Sequence, residues 1–149
     1  MRKNTAVVNI GRLLEVRVAW GYRSVSDVDA LFNEIAHEVS TKVPFGKRVI
    51  AAVDWRLCPM LSTEASDRAL ERMTRANPRT ERSAALASSA SPATVLQFLR
   101  LVRESQHPDR KLFFSEGDMT AWLDPLLTSL ERARLRDFLR AGEGATGDG

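Results

Sequence analysis

Residues 48 to 55 read RVIAAVDW, a short apolar run from Val49 to Val53 closed by Asp54 and Trp55. The run does not alternate apolar with polar residues, as a strand with one solvated face would. It predicts an inner strand covered on both sides, the usual position of a strand in a parallel sheet. A few apolar residues are also far too few to cross a bilayer. Residues 81 to 88, ERSAALAS, give a second inner strand built from small side chains. Between the two, Ser62 and Thr63 open a stretch with Ala65, Ala69, Leu70 and Met73 at helical spacing, which ends at Asn77-Pro78.

Outward from this pair the periods change in step. Upstream, Val28, Leu31, Phe32, Ile35 and Val39 form one helical stripe behind the candidate caps Ser24 and Ser26, and Pro44-Phe45-Gly46 stops it. Before that helix, Thr5 to Ile10 and Leu13 to Trp20 are β-rich and separated by Gly11-Arg12, the pattern of an antiparallel hairpin. Downstream, Ser91-Pro92 starts a helix with Val95, Phe98, Leu99 and Val102 inward. Residues 110 to 115, RKLFFS, give the last strand, followed by helices near Asp118–Leu127 and Ser129–Ala141. The expected fold is therefore α/β: a mixed, mostly parallel sheet of about five strands with an N-terminal hairpin, crossover helices and an extra C-terminal helix. Residues 1–141 are expected to form one domain, and 142–149, GEGATGDG, an unstructured tail.

With 149 residues, 44% of them hydrophobic and 28% charged, the chain is expected to bury roughly 68–70% of its unfolded surface. The 22 basic and 19 acidic residues are interleaved, so the net charge of +3 gives no concentrated basic face and no expectation of a nucleic-acid partner. No signal-peptide core follows the N-terminus, and Cys58 is the sole cysteine. The expected setting is reducing and cytoplasmic.

Three stretches beyond the hairpin carry a resemblance: VIAAVDWR at residues 49–56, ERSAALA at 81–87 and KLFFSEGDMTAWL at 111–123. With the element order, they make residues 5–127 resemble the STAS-like superfamily of anti-sigma-factor antagonists and their diverged bacterial relatives. The resemblance implies a non-enzymatic regulatory or protein–protein interaction domain. In the antagonists a serine opening the helix after the central strand is phosphorylated by a partner kinase. The nearest positions here are Ser62 and Thr63, in the local sequence Pro-Met-Leu-Ser-Thr-Glu rather than Asp-Ser-Ser-Gly. The superfamily also resembles the CRAL-TRIO lipid-binding fold, which implies a small-molecule or lipid-binding domain as the alternative.

Ligands of open α/β sheets sit beyond the carboxyl ends of the strands, so Asp54, Trp55, Arg56, Ser88 and Ser89 are the candidate binding residues. The bland alternative is local capping and turn bonding by the same side chains. Arg68, Arg72 and Arg75 form one basic ridge, expected to be quenched by Glu64 and Glu71 four residues upstream. Arg132, Arg136 and Arg140 form a second with fewer acids nearby. Beside Phe138, this ridge is the candidate interaction surface for a protein partner or a second copy, unless Leu135, Phe138 and Leu139 pack back on the sheet. Trp20 and Trp122 read as core, Trp55 as a candidate ligand contact. His107 lies at a helix C-terminus, where positive charge is favoured. His37, His107 and Cys58 are too scattered for a metal set, and Cys58 reads as a small buried hydrophobe. Without a Gly-rich phosphate loop or nucleophile elbow, no catalytic residue and no cofactor are expected.

Overall fold

The structure, a computed structural model, describes residues 4–19 and 22–147. Trp20, read as core, lies outside the described residues. Strands β1 (Thr5–Ile10), β2 (Leu13–Arg17), β3 (Val49–Asp54), β4 (Thr80–Leu86) and β5 (Arg110–Phe113) form one sheet in sequence order. β1 and β2 are antiparallel and the remaining pairs parallel, so the α/β class, the mixed sheet and the N-terminal hairpin are as expected. Helices α1 (Val25–Lys42), α2 (Thr63–Ala76) and α3 (Pro92–Glu104) cover one face, and α4 (Glu116–Leu123) and α5 (Ser129–Gly147) the other.

Helix starts follow local chemistry. Ser24 accepts the Asp27 amide while Asp27 accepts the Ser24 amide, a reciprocal capping box that also holds the Asp27 carboxyl below its ordinary range. Ser62, Ser91 and Ser115 cap α2, α3 and α4 by accepting the amides of Ala65, Thr94 and Asp118. Gly11 turns the hairpin at φ +58°, a conformation that favours glycine. Its missing side chain also leaves room for the Glu131 carboxylate, which accepts the Arg12 amide at 3.0 Å and the Thr128 amide at 2.9 Å. One buried glutamate thus caps α5 and ties it to the turn.

The open edge of β1 is shielded by α1. Glu34 and Glu38 accept the outward amides of Ala6 and Val8 at 3.4 and 3.0 Å, which removes donors that would otherwise invite another strand. The side chains of β3 and β4 alternate between two cores. Ile50, Ala52, Ala84 and Leu86 meet Met119, Leu123, Leu135, Phe138 and Leu139. Ala51, Val53 and Ala87 face α1–α3 on the opposite side.

Two boundary readings are corrected. β2 ends at Arg17 rather than reaching Trp20. α5 continues to Gly147, so the helix runs through most of the expected tail, and Gly142 is buried against the sheet. Gly142 owes this position to its lack of a side chain. Among the described residues, no helix is long and apolar enough to cross a membrane.

Candidate functional site

At the carboxyl ends of β2 and β3 lies a buried charge cluster. Asp54, only 4% exposed, accepts Arg17 Nη1 at 2.5 Å, Arg56 Nη2 at 3.1 Å, and both Nε and the backbone amide of Arg56 at 3.0 and 3.1 Å. Four donors occupy the acceptor capacity of its two oxygens. The guanidiniums continue into α5, donating to the Phe138 and Leu139 carbonyls at 2.7 and 2.8 Å, and Arg17 stacks over the Phe138 ring at 4.2 Å. This arrangement locks a helix onto a sheet.

The expected convergence of Asp54, Trp55, Arg56, Ser88 and Ser89 therefore does not occur. Strand alternation sends Asp54 and Arg56 to the α5 face, while Trp55 packs on Phe98 on the opposite face with ring centroids 4.7 Å apart. Ser88 and Ser89 are exposed in the β4–α3 loop, where Ser88 accepts the Ala90 amide. Ser62 and Thr63 are exposed at the start of α2, and Ser62 is engaged as its cap.

The arginine ridges follow expectation at Arg75, which pairs with Glu71 four residues upstream, and depart from it elsewhere. Arg68 and Arg72 cross from α2 to Asp29 on α1, at 3.7 and 3.3 Å, a pairing across neighbouring helices rather than along one. Arg136 holds Asp124 through two bonds of 3.0 and 2.7 Å, Arg132 donates to the Asp124 carbonyl, and Arg140 pairs with Asp137. Phe138 is buried, so the predicted contact surface lacks its apolar centre: Leu135, Phe138 and Leu139 pack on the sheet. Cys58 is buried and its thiol pushed up by desolvation. His107 accepts the Asp109 amide at Nδ1 and donates from Nε2 to the Thr80 carbonyl at 2.7 Å, an arrangement that uses a single ring proton.

Beside the charge cluster, Glu116 and Glu143 face a recess of about 230 Å³. Burial, then a hydrogen bond and repulsion from Glu143, raise the Glu116 carboxyl above its ordinary value of 4.5, with Arg56 at 3.9 Å opposing. The folded state therefore favours the protonated form of Glu116. Ionising it costs stability as pH rises above 4.5, whereas Asp27, Glu38, Glu81 and Asp124, all lowered, add stability that is lost only as pH falls through their folded values. Glu116→Gln should consequently raise the thermal midpoint at pH 8, with the gain shrinking toward pH 5. Melting curves in which the substitution is neutral or harmful at pH 8 would contradict this assignment.

The larger space is on the other face. A cavity of about 370 Å³ lies between the sheet and α1–α3, within the size range of small-molecule sites. Its floor is Ala51, Val53, Ser83 and Ala85, and its walls include Phe32, Ile35 and Met73. Trp55 lines it too, as the sole one of the five candidate binding residues to do so. The small side chains of β3 and β4 leave the space open, and a leucine at position 85 would project into it.

At the opposite end from Trp55, the lining includes Arg79 and Arg110. Sequence reading missed both. Arg79 lies in a 3₁₀ turn (Asn77–Arg79), with its Nε and Nη2 buried and without a hydrogen-bond partner. Arg110 opens β5, donates to Asn77 and Ser105 at 2.7 and 2.9 Å, and is lowered by burial to about 10, so it remains charged at neutral pH. The sequence signal was an arginine at the start of each of the last two strands, Arg79 directly before β4 and Arg110 first in β5. No family model, curated protein or solved structure matches the chain.

Proposed function

We propose that this chain is a non-enzymatic binding domain that holds an apolar small molecule between its sheet and helices α1–α3. The observation that carries the reading is the 370 Å³ cavity floored by alanine and serine where the other face of the same strands is filled with leucine and methionine. The ordered hairpin and parallel strands support placing the domain among diverged STAS-like proteins, with the CRAL-TRIO-like binding role as the relevant comparison. The single buried thiol fits a cytoplasmic setting.

Native mass spectrometry with a panel of apolar compounds should reveal a one-to-one adduct, and a ligand at a hundred times its dissociation constant should stabilise the fold by about 2.7 kcal/mol. Ala85→Leu should abolish the adduct. Absence of any adduct, or adducts indifferent to this substitution, would sink the reading.

A second reading, regulation through a protein partner, is favoured by Leu96 and Leu99, which are 67% and 43% exposed on one face of α3. Partner capture lost on Leu96→Asp with Leu99→Asp, yet unchanged by Ala85→Leu, would support it over the first.

A further inference from the structure

We propose that the ligand is an elongated anion: an apolar chain along the cavity floor with a carboxylate-like end group bound by Arg79 and Arg110. The inference rests on the cavity being a binding site and goes further by assigning its chemistry. Four arginines line the cavity and no acidic residue does. Two of the four are already matched: Arg72 bonds Asp29 and Asn33, and Arg75 pairs with Glu71 at 2.5 Å. Among the described residues, neither Arg79 nor Arg110 has a carboxylate partner.

The helix C-termini at this edge account for part of the positive charge, because the helix dipole favours cations there. They do not account for the Arg79 donors. Buried donors normally find partners, and Nε and Nη2 are the pair of guanidinium nitrogens that meets a carboxylate side-on. Arg110 is held in place by Asn77, whose 3₁₀ turn also carries Arg79, so both cations are set by one turn.

The apolar part of the ligand follows from the floor. From Val49 to Val53 the lining of β3 runs roughly 13 Å at the strand rise, the length of an extended chain of about ten carbons. Trp55 closes the far end, supported by Phe98. A compact polar metabolite such as a nucleotide would leave this length unfilled and bury its polar groups against alanine and valine.

Isothermal titration with decanoate, 1-decanol and decyltrimethylammonium, all below their aggregation limits, separates the possibilities. Decanoate should bind roughly tenfold to hundredfold more tightly than decanol, the range of a charge-assisted hydrogen bond, and the cation most weakly. Arg79→Gln should reduce decanoate affinity toward that of decanol while leaving decanol unchanged. Equal affinity for decanoate and decanol, or tight binding of the cation, would overturn the anion assignment while the cavity reading stands. No binding by any of the three would overturn both. The comparison on the unsubstituted protein decides the matter even where Arg79→Gln fails to fold.

Discussion

Asp54→Ala should destabilise the fold by about 3–5 kcal/mol, because it leaves two arginines facing each other in a buried site without their shared counter-charge. Arg17 and Arg56 side chains are 13% and 12% exposed, so water cannot replace the carboxylate without opening the α5 contact. Their bonds to the Phe138 and Leu139 carbonyls hold the guanidiniums in place and prolong the repulsion. Urea denaturation gives the magnitude. Hydrogen exchange gives the location: protection should fall first in α5, where Leu135, Phe138 and Leu139 lose their cover. Removing both cations as well, in Asp54→Leu with Arg17→Met and Arg56→Met, should recover most of the loss, since apolar substitutes avoid the cost of desolvating three charges. A single-substitution loss below about 1 kcal/mol, the scale of exposed pairs, would mean that the cluster is solvated and does not fasten the helix.

How far the chain could be read in advance depends on the distance over which each signal acts. The inner strand at Val49–Asp54, the hairpin turn at Gly11 and the caps at Ser24, Ser62 and Ser91 are local: each needs a few neighbours and a backbone preference, and each was legible. The charge partners were not. Glu15 is buried with Arg134 from the far end of the chain at 2.9 Å, and Arg72 finds Asp29 across a helix groove, pairings that sequence spacing cannot supply. The convergence at the strand ends was misjudged for a related reason. A strand end predicts where open sheets place ligands, but α5 occupies that end here. The cavity instead follows from which face of β3 and β4 the neighbouring helices leave unfilled. Alanine at positions 51, 52, 84 and 85 is visible in sequence, while the difference between the filled and unfilled sides is a property of packing.

The fate of position 142 tests that packing most directly, because local and tertiary effects there have opposite signs. In an exposed helix, glycine to alanine gains about 1 kcal/mol from backbone entropy and propensity. Gly142 is helical but buried, and a methyl group added to it would fall well inside van der Waals contact with Arg17 Nη1, Arg56 Nη2 and Asp54 Oδ2. Ends of long side chains usually move aside at little cost. These cannot, because each nitrogen is also bonded to Asp54 or to an α5 carbonyl, and displacing one leaves a buried charge unmatched. Gly142→Ala should therefore lose about 2–4 kcal/mol, combining overpacking with a disturbed ion cluster. The adjacent Ala141, which is exposed, supplies the control: Ala141→Gly should lose about 1 kcal/mol from propensity alone. Together the two substitutions swap the usual order, with glycine preferred at 142 and alanine at 141. If Gly142→Ala instead stabilised the protein in urea, α5 would not lie against the Asp54 cluster, and the buried face of the last helix would have to be assigned afresh.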